Sequence, residues 1–267
     1  MAFADLSTWH LGKYDNPSQQ IPYLGEYITH SLTNLGSAGQ PSIESLLAVQ
    51  PDLILGTDFI NADQYETLSD IAPTLVLQWD DAETNMRTIA QAVGYPEKAD
   101  SLLTEIEQKI AAGKDKFSTF VAQYPNVLLL SSGQLQEIYM GNSAHGLCSS
   151  LLTDLGFNLV TLEGAEENRP GMPVPISLET LSQIKNADLI ILLGSDLTRL
   201  DSAETFREKQ LSGLKQAWER NAIVQSLNAS KAGRVYFIPA YLCLGLPGPI
   251  GTELYLNELK QQLLPNQ

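Results

Sequence analysis

The chain has 267 residues, 43% of them hydrophobic, which is enough apolar side chain for one large or two modest folded domains and argues against disorder. Its formal charge of −15, from 31 acidic and 16 basic residues, makes nucleic acid a poor partner, because phosphate binding needs a basic face. No run approaches 18 apolar residues, and the first nine residues carry no basic, apolar leader pattern.

In chain order, residues 1–40 read as loop-rich. Ser42 to Val49 then reads as a short helix capped by Ser42, with Glu44 in its first turn. Pro51 closes it, and Asp52 to Gly56 is an apolar strand of the buried parallel type. A helix over Gln64 to Asp70 leads to a second strand, Ile71 to Gln78. Thr84 to Val93 is helical up to Gly94. From Pro96 to Gln123, apolar residues recur every three or four positions with a gap at Gly113, the pattern of one long helix.

Beyond Pro125, strands are expected at Val127–Ser131, Leu159–Leu162, Leu189–Leu193 and Val235–Ile238. Helices are expected at Ala144–Leu155, Leu178–Ile184, Phe206–Leu227 with a break near Ser212-Gly213, and Pro249–Leu264. Such alternation means parallel sheets, whose ligands bind beyond the carboxyl ends of the strands. The loops to watch are 57–66, 78–83, 132–143, 163–175, 194–205 and 239–248.

One segment occurs twice. Ser42-Ile43-Glu44-Ser45-Leu46 leads to Asp52-Leu53-Ile54, and Ser177-Leu178-Glu179-Thr180-Leu181 leads to Asp188-Leu189-Ile190. Two similar α/β lobes follow from this echo.

Chemistry-bearing motifs are few. His10, His30 and His145 lack metal-ligand spacing and read as loop or surface histidines. Cys148 and Cys243 read as isolated cysteines, with their pairing left open. Phosphate-binding glycine motifs and a nucleophile elbow are missing from the sequence, and Leu246 to Gly251 reads as a turn entering the last helix. No catalytic residue, metal site or resident cofactor is assigned.

The run Pro41 to Ala48 with Gln50-Pro51-Asp52-Leu53-Ile54, then Ile71-Ala72-Pro73-Thr74 and Lys231 to Tyr236, resembles the periplasmic iron–siderophore binding proteins of ABC importers. Heme- and cobalamin-binding proteins share that architecture. The resemblance implies an α/β fold of two Rossmann-like lobes with parallel sheets, joined by one long helix, with the ligand in a cleft between them. It divides the chain into an N-terminal lobe at 1–95, a linker helix at 96–123 and a C-terminal lobe at 124–267. The N-terminal lobe is expected to lack the family's first strand and helix.

By the same resemblance the ligand is a ferric siderophore and the partner an ABC importer permease dimer, docked through Glu44 and Glu179. The protein would be a monomer, periplasmic or lipid-anchored, and not an enzyme. Candidate ligand contacts on the strand-end loops are Trp9, Phe59, Tyr65, Trp79, Tyr139, Arg169, Arg199 and Tyr241. Hydroxamate binders of the family often carry an arginine four residues before Ser42, where this chain has Ala38. Heme, held by Tyr241, Tyr139 or Met140, and cobalamin stay open, as do a two-lobed Rossmann-like enzyme and a scaffold with a degenerate cleft.

Overall fold

The computed structural model describes residues 1–4, 21–79, 81–142, 145–162, 173–196 and 203–265. The chain divides into two compact units, one of Met1–Asn85 with Leu197–Lys209, the other of Met86–Asp196 with Gln210–Gln267.

The first unit opens with short strands. β1 (Ala2–Phe3) pairs in parallel with β2 (Thr33–Asn34), and β3 (Gly36–Ser37) pairs antiparallel with β4 (Gln40–Pro41). Helix α1 (Ile43–Val49) starts where Ser42 Oγ accepts the Ser45 amide at 3.1 Å. It stops because Gln50 takes the left-handed conformation, φ 50°, directly before Pro51. β5 (Ile54–Thr57) and β6 (Thr74–Leu77) then pair in parallel, with α2 (Asp58–Asn61) and α3 (Tyr65–Ser69) carrying the chain between them. One buried cluster here comprises Leu35, Leu46 and Leu68, flanked by Ile54 and Ile71. Phe206, also buried, stands edge-on to Tyr23 with ring centres 6.4 Å apart.

Helix α4 (Ala82–Ala92) precedes α5, which spans Pro96–Gln123 as its apolar period predicts, with Pro96 at the first helical position. At ~1.5 Å per residue it is about 40 Å long. The gap at Gly113 has a steric cause. A Cβ there would lie 3.0 Å from Leu256 and 3.1 Å from Leu155, so glycine lets these two leucine side chains pack close against the helix.

In the second unit, β7 (Asn126–Ser132) is the middle of a six-stranded sheet. β8 (Ile138–Met140) and β9 (Asn158–Leu159) share one side of it, separated in sequence by α6 (Leu147–Asp154). β10 (Val174–Ile176) pairs antiparallel with β8. After α7 (Leu178–Leu181), β11 (Leu189–Gly194) lies parallel to β7 on its other side, with Leu189 opposite Val127. Helices α8 (Ala203–Arg220), α9 (Ala222–Gln225) and α10 (Asn228–Lys231) lead to β12 (Val235–Pro239), parallel to β11, and α11 (Pro249–Leu263) closes the chain.

Nearly all of β7 and the whole of β11 are buried, as an apolar parallel strand covered on both faces must be. Leu128, Leu130, Ile190 and Leu192 share a cluster with Leu214, Trp218, Val224 and Leu181. At the amino ends of the strands, the Asp188 carboxylate accepts both the amide and the side-chain nitrogen of Asn126, at 2.9 and 3.0 Å. Arg234 donates to the Asp188 carbonyl at 2.7 Å and stacks over Tyr124.

Four expectations need correction. Helix α8 runs unbroken through Ser212-Gly213 and ends at Arg220, because Asn221 caps a new helix by accepting the amides of Ile223 and Val224. Tyr139 belongs to a strand, not a loop, since β8 and β10 form an antiparallel ribbon that three-residue strands do not advertise. His145 is buried, not a surface histidine.

The fourth correction concerns the cysteines. Cys148 and Cys243 are joined in a disulfide, Cα–Cα 5.0 Å, and both are buried. It ties the first turn of α6 to the turn after β12 across 95 residues. Tyr255 Oη donates to the Cys148 carbonyl at 3.2 Å in the same place, and burial pushes its phenol pKa far up, so it stays a donor.

His145 sits under the carboxyl end of β7. Its Nδ1 accepts the Asn142 amide at 3.4 Å, so Nε2 carries the proton and faces Ser131 Oγ at 3.0 Å. Burial lowers its pKa to about 4.

Two predictions follow from these groups. The double substitution Cys148→Ala/Cys243→Ala should lower unfolding free energy by up to about 4–5 kcal/mol, the chain-entropy value for a loop of this length. Urea unfolding followed by circular dichroism measures it, and a loss below about 1 kcal/mol would refute a structural role. For His145, the unfolded chain binds a proton near pH 6.5 and the folded chain only near 4. Stability therefore falls as pH drops through that window, by roughly 3 kcal/mol in all. His145→Gln should flatten this part of the pH dependence; an unchanged slope between pH 7 and 4.5 would contradict the assignment.

Candidate functional site

In the first unit the carboxyl ends of β5 and β6 present the candidate groups. Asp58 follows β5 directly, and its Oδ1 accepts the Phe59 amide at 2.7 Å and the Trp79 amide at 3.1 Å. One carboxylate thus staples the ends of two parallel strands. It brings the rings of Phe59 and Trp79 to 6.2 Å, tilted by 40°. Phe59 is 77% exposed and Trp79 42%, so the pair offers an adjoining aromatic surface to solvent. Tyr65, at the start of α3, is exposed as well.

Behind the aromatic pair, Asn61 organises the strand end. Its Oδ1 accepts the Thr57 amide at 3.1 Å, and its Nδ2 donates to the Ala38 carbonyl at 2.9 Å and to Gln64 at 3.0 Å. Gln64 in turn donates to the Gly39 carbonyl. The loop at Ala38 and Gly39 is therefore fixed through its backbone. Neither Asp58 nor Asn61 was singled out from the sequence, although an Asp or Asn just after an apolar strand is a known loop-ordering signal.

In the second unit the same edge of the sheet gathers Ser132, Ser195 and Tyr241. The Ser195 amide donates to the Ser132 carbonyl at 3.0 Å, extending the β7–β11 pairing by one step. Tyr241 lies in the turn after β12, and its amide meets Oε1 of buried Gln210 at 3.3 Å. A Cβ on Gly245 would lie 2.4 Å from the Tyr241 ring, so glycine there is what lets the ring lie down on the backbone. Tyr139, 38% exposed, projects from β8. Trp9, Arg169 and Arg199 lie outside the described residues.

The two glutamates occupy matching local structures. Glu44 and Glu179 are exposed in the first turns of α1 and α7. Ser177 Oγ accepts the Thr180 amide at 3.1 Å, the same distance and register as the Ser42 cap. Glu179's own amide and the Ser177 hydroxyl hold its carboxyl below the usual range.

Among the described residues, no three His, Cys, Asp or Glu side chains gather to hold a metal ion, and no helix is long and apolar enough to cross a membrane.

Comparison with known proteins agrees with this architecture. The putative ABC transporter substrate-binding lipoprotein YhfQ of Bacillus subtilis is 28% identical over 240 residues, 86% of this chain and 69% of its own. The iron(3+)-hydroxamate-binding protein FhuD of the same organism is 27% identical over 231 residues, 85% of this chain and 66% of its own. The crystal structure of Staphylococcus aureus SirA complexed with staphyloferrin B shares the fold, with a TM-score of 0.73 at 20% identity over 92% of this chain and 82% of that one. The chain thus spans about two thirds of the length of these curated relatives. The periplasmic binding protein family matches residues 2–242, and the chain belongs to that family.

Proposed function

We propose that this protein captures a ferric siderophore outside the cytoplasm and delivers it to an ABC-type importer. The observation that carries the reading is the solvent-facing Phe59–Trp79 pair at the carboxyl ends of two parallel strands, in a member of this family. The name of the relative FhuD supports iron chelates as the cargo class, and that of YhfQ supports an ABC importer as the recipient.

The chemistry is consistent. Fe(III) is a hard ion already saturated by siderophore oxygens, so the protein needs no ligands of its own for the metal. It needs walls for the outside of the chelate. Phe59, Tyr65 and Trp79 supply them on the first unit, Tyr139 and Tyr241 on the second, and Trp9, Arg169 and Arg199 complete the proposed set. We assign residues 1–95 and 124–267 as the ligand-handling lobes and 96–123 as their linker helix. The protein acts as a monomeric binding protein, not an enzyme, in the periplasm or tethered by a lipid. A buried disulfide supports an oxidising compartment.

Titration with ferric hydroxamate, catecholate and citrate chelates, hemin and cobalamin, read by tryptophan fluorescence, tests this. At least one ferric chelate should quench saturably below micromolar concentration, and Trp79→Ala should weaken it about tenfold. A response to hemin alone, with a Soret shift, would overturn the siderophore reading.

Glu44 and Glu179 are proposed to dock on the permease dimer. Charge reversal of both to lysine should abolish importer-dependent uptake with the ligand Kd unchanged. A large loss of ligand affinity would instead place them in the binding site.

A further inference from the structure

The 1–85 segment of the first unit is almost devoid of positive charge. Residues 1–85 contain twelve acidic side chains and a single basic one, Lys13, for a net charge of −11. No lysine or arginine occurs between Lys13 and Arg87, and residues 197–209 add three charges of each sign.

Salt limits what that total can do, because screening falls off over about 8 Å at physiological ionic strength. Local groups decide, and the described charged groups bonded to this strand end are carboxylates. The faces of Phe59 and Trp79 are the negative poles of their ring quadrupoles. The Asp58 carboxylate is bonded to the backbone of both residues. Asp81, two residues past Trp79, accepts the Thr84 amide at 2.9 Å, and hydrogen bonds from Thr84 keep its carboxyl below the usual range. An exposed aromatic pair backed by a carboxylate attracts cations and repels anions.

Ferric chelates differ in this property. Three monoanionic hydroxamates neutralise Fe(III), whereas three dianionic catecholates leave a threefold negative complex. We infer that the Phe59–Trp79–Asp58 surface selects cationic chelates, a neutral tris-hydroxamate iron core bearing a free ammonium group. This rests on the siderophore reading and narrows it to a substrate class. The ammonium lies over the aromatic pair with Asp58 as its counter-charge.

The test holds the chelate constant and varies one charge. A ferric tris-hydroxamate with a free ammonium, its N-acetylated form and its N-succinylated form are titrated calorimetrically against the full chain, beside a ferric tricatecholate. The ammonium form should bind about tenfold tighter than the acetylated one, and the succinylated form more weakly still. Asp58→Asn keeps the Oδ1 acceptor and removes the charge, and should shrink the tenfold ratio to about threefold or less. Its thermal midpoint controls for folding, and the wild-type series decides the question by itself if the variant is unstable.

Equal affinities across the series, or tighter binding of the succinylated or tricatecholate form, would overturn the inference while leaving the siderophore reading standing. Binding of none of the ferric chelates would remove both.

Discussion

Parallel strands cannot be joined by a tight turn, and this constraint arranges everything functional in the molecule. Between β5 and β6, and again between β7, β11 and β12, the chain must cross back through helices before the next strand begins. Parallel strands of one sheet therefore finish at the same edge. Residues far apart in sequence, such as Phe59 and Trp79, become neighbours without any contact having been specified between their side chains. In the second unit the same rule brings Ser132 beside Ser195 and places Tyr241 at that edge.

The two units hold their strand ends by different means. The second has a buried sheet with apolar helices against it, so packing fixes the frame and hydrogen bonds only adjust it. In the first, Leu35, Leu46 and Leu68 form one buried cluster, and polar atoms join the described strand ends. Asp58 joins β5 to β6, and Asn61 joins the strand end to the backbone of residues 38 and 39 through itself and Gln64. Such bonds cost little to remake one at a time, and their geometry is directional. A surface held this way keeps its shape while leaving its rings uncovered.

Sequence reading recovers what periodicity encodes. The helix Pro96–Gln123 and the buried strands around Leu129 and Ile191 appear where their patterns place them, and the Ser42/Ser177 echo becomes two caps of the same register. What it misses is long-range or very short. Three-residue strands such as Ile138–Met140 carry no usable period, and Gly213 lies in a helix whose neighbourhood leaves open space for it. The cysteines pair because α6 and the turn after β12 converge, and spacing of 95 residues reveals nothing of that. Candidate ligand residues were legible as aromatics after strands, but Asp58 and Asn61 act through backbone partners that only the fold supplies.

The disulfide couples this geometry to its surroundings. Cys243 follows Tyr241 by two residues, and Gly245, against which the tyrosine ring rests, follows by two more. The cross-link thus anchors the turn that displays a proposed ligand contact, and it does so from the buried side, away from reductants of protein size. Disulfides persist where the medium is oxidising. In a reducing compartment the chain would fold without the link, and the turn carrying Tyr241 would lose its covalent tie while keeping bonds such as those to the Gln210 side chain and between Ala240 and Leu244. Complete assembly of that edge of the second unit therefore depends on an oxidising medium.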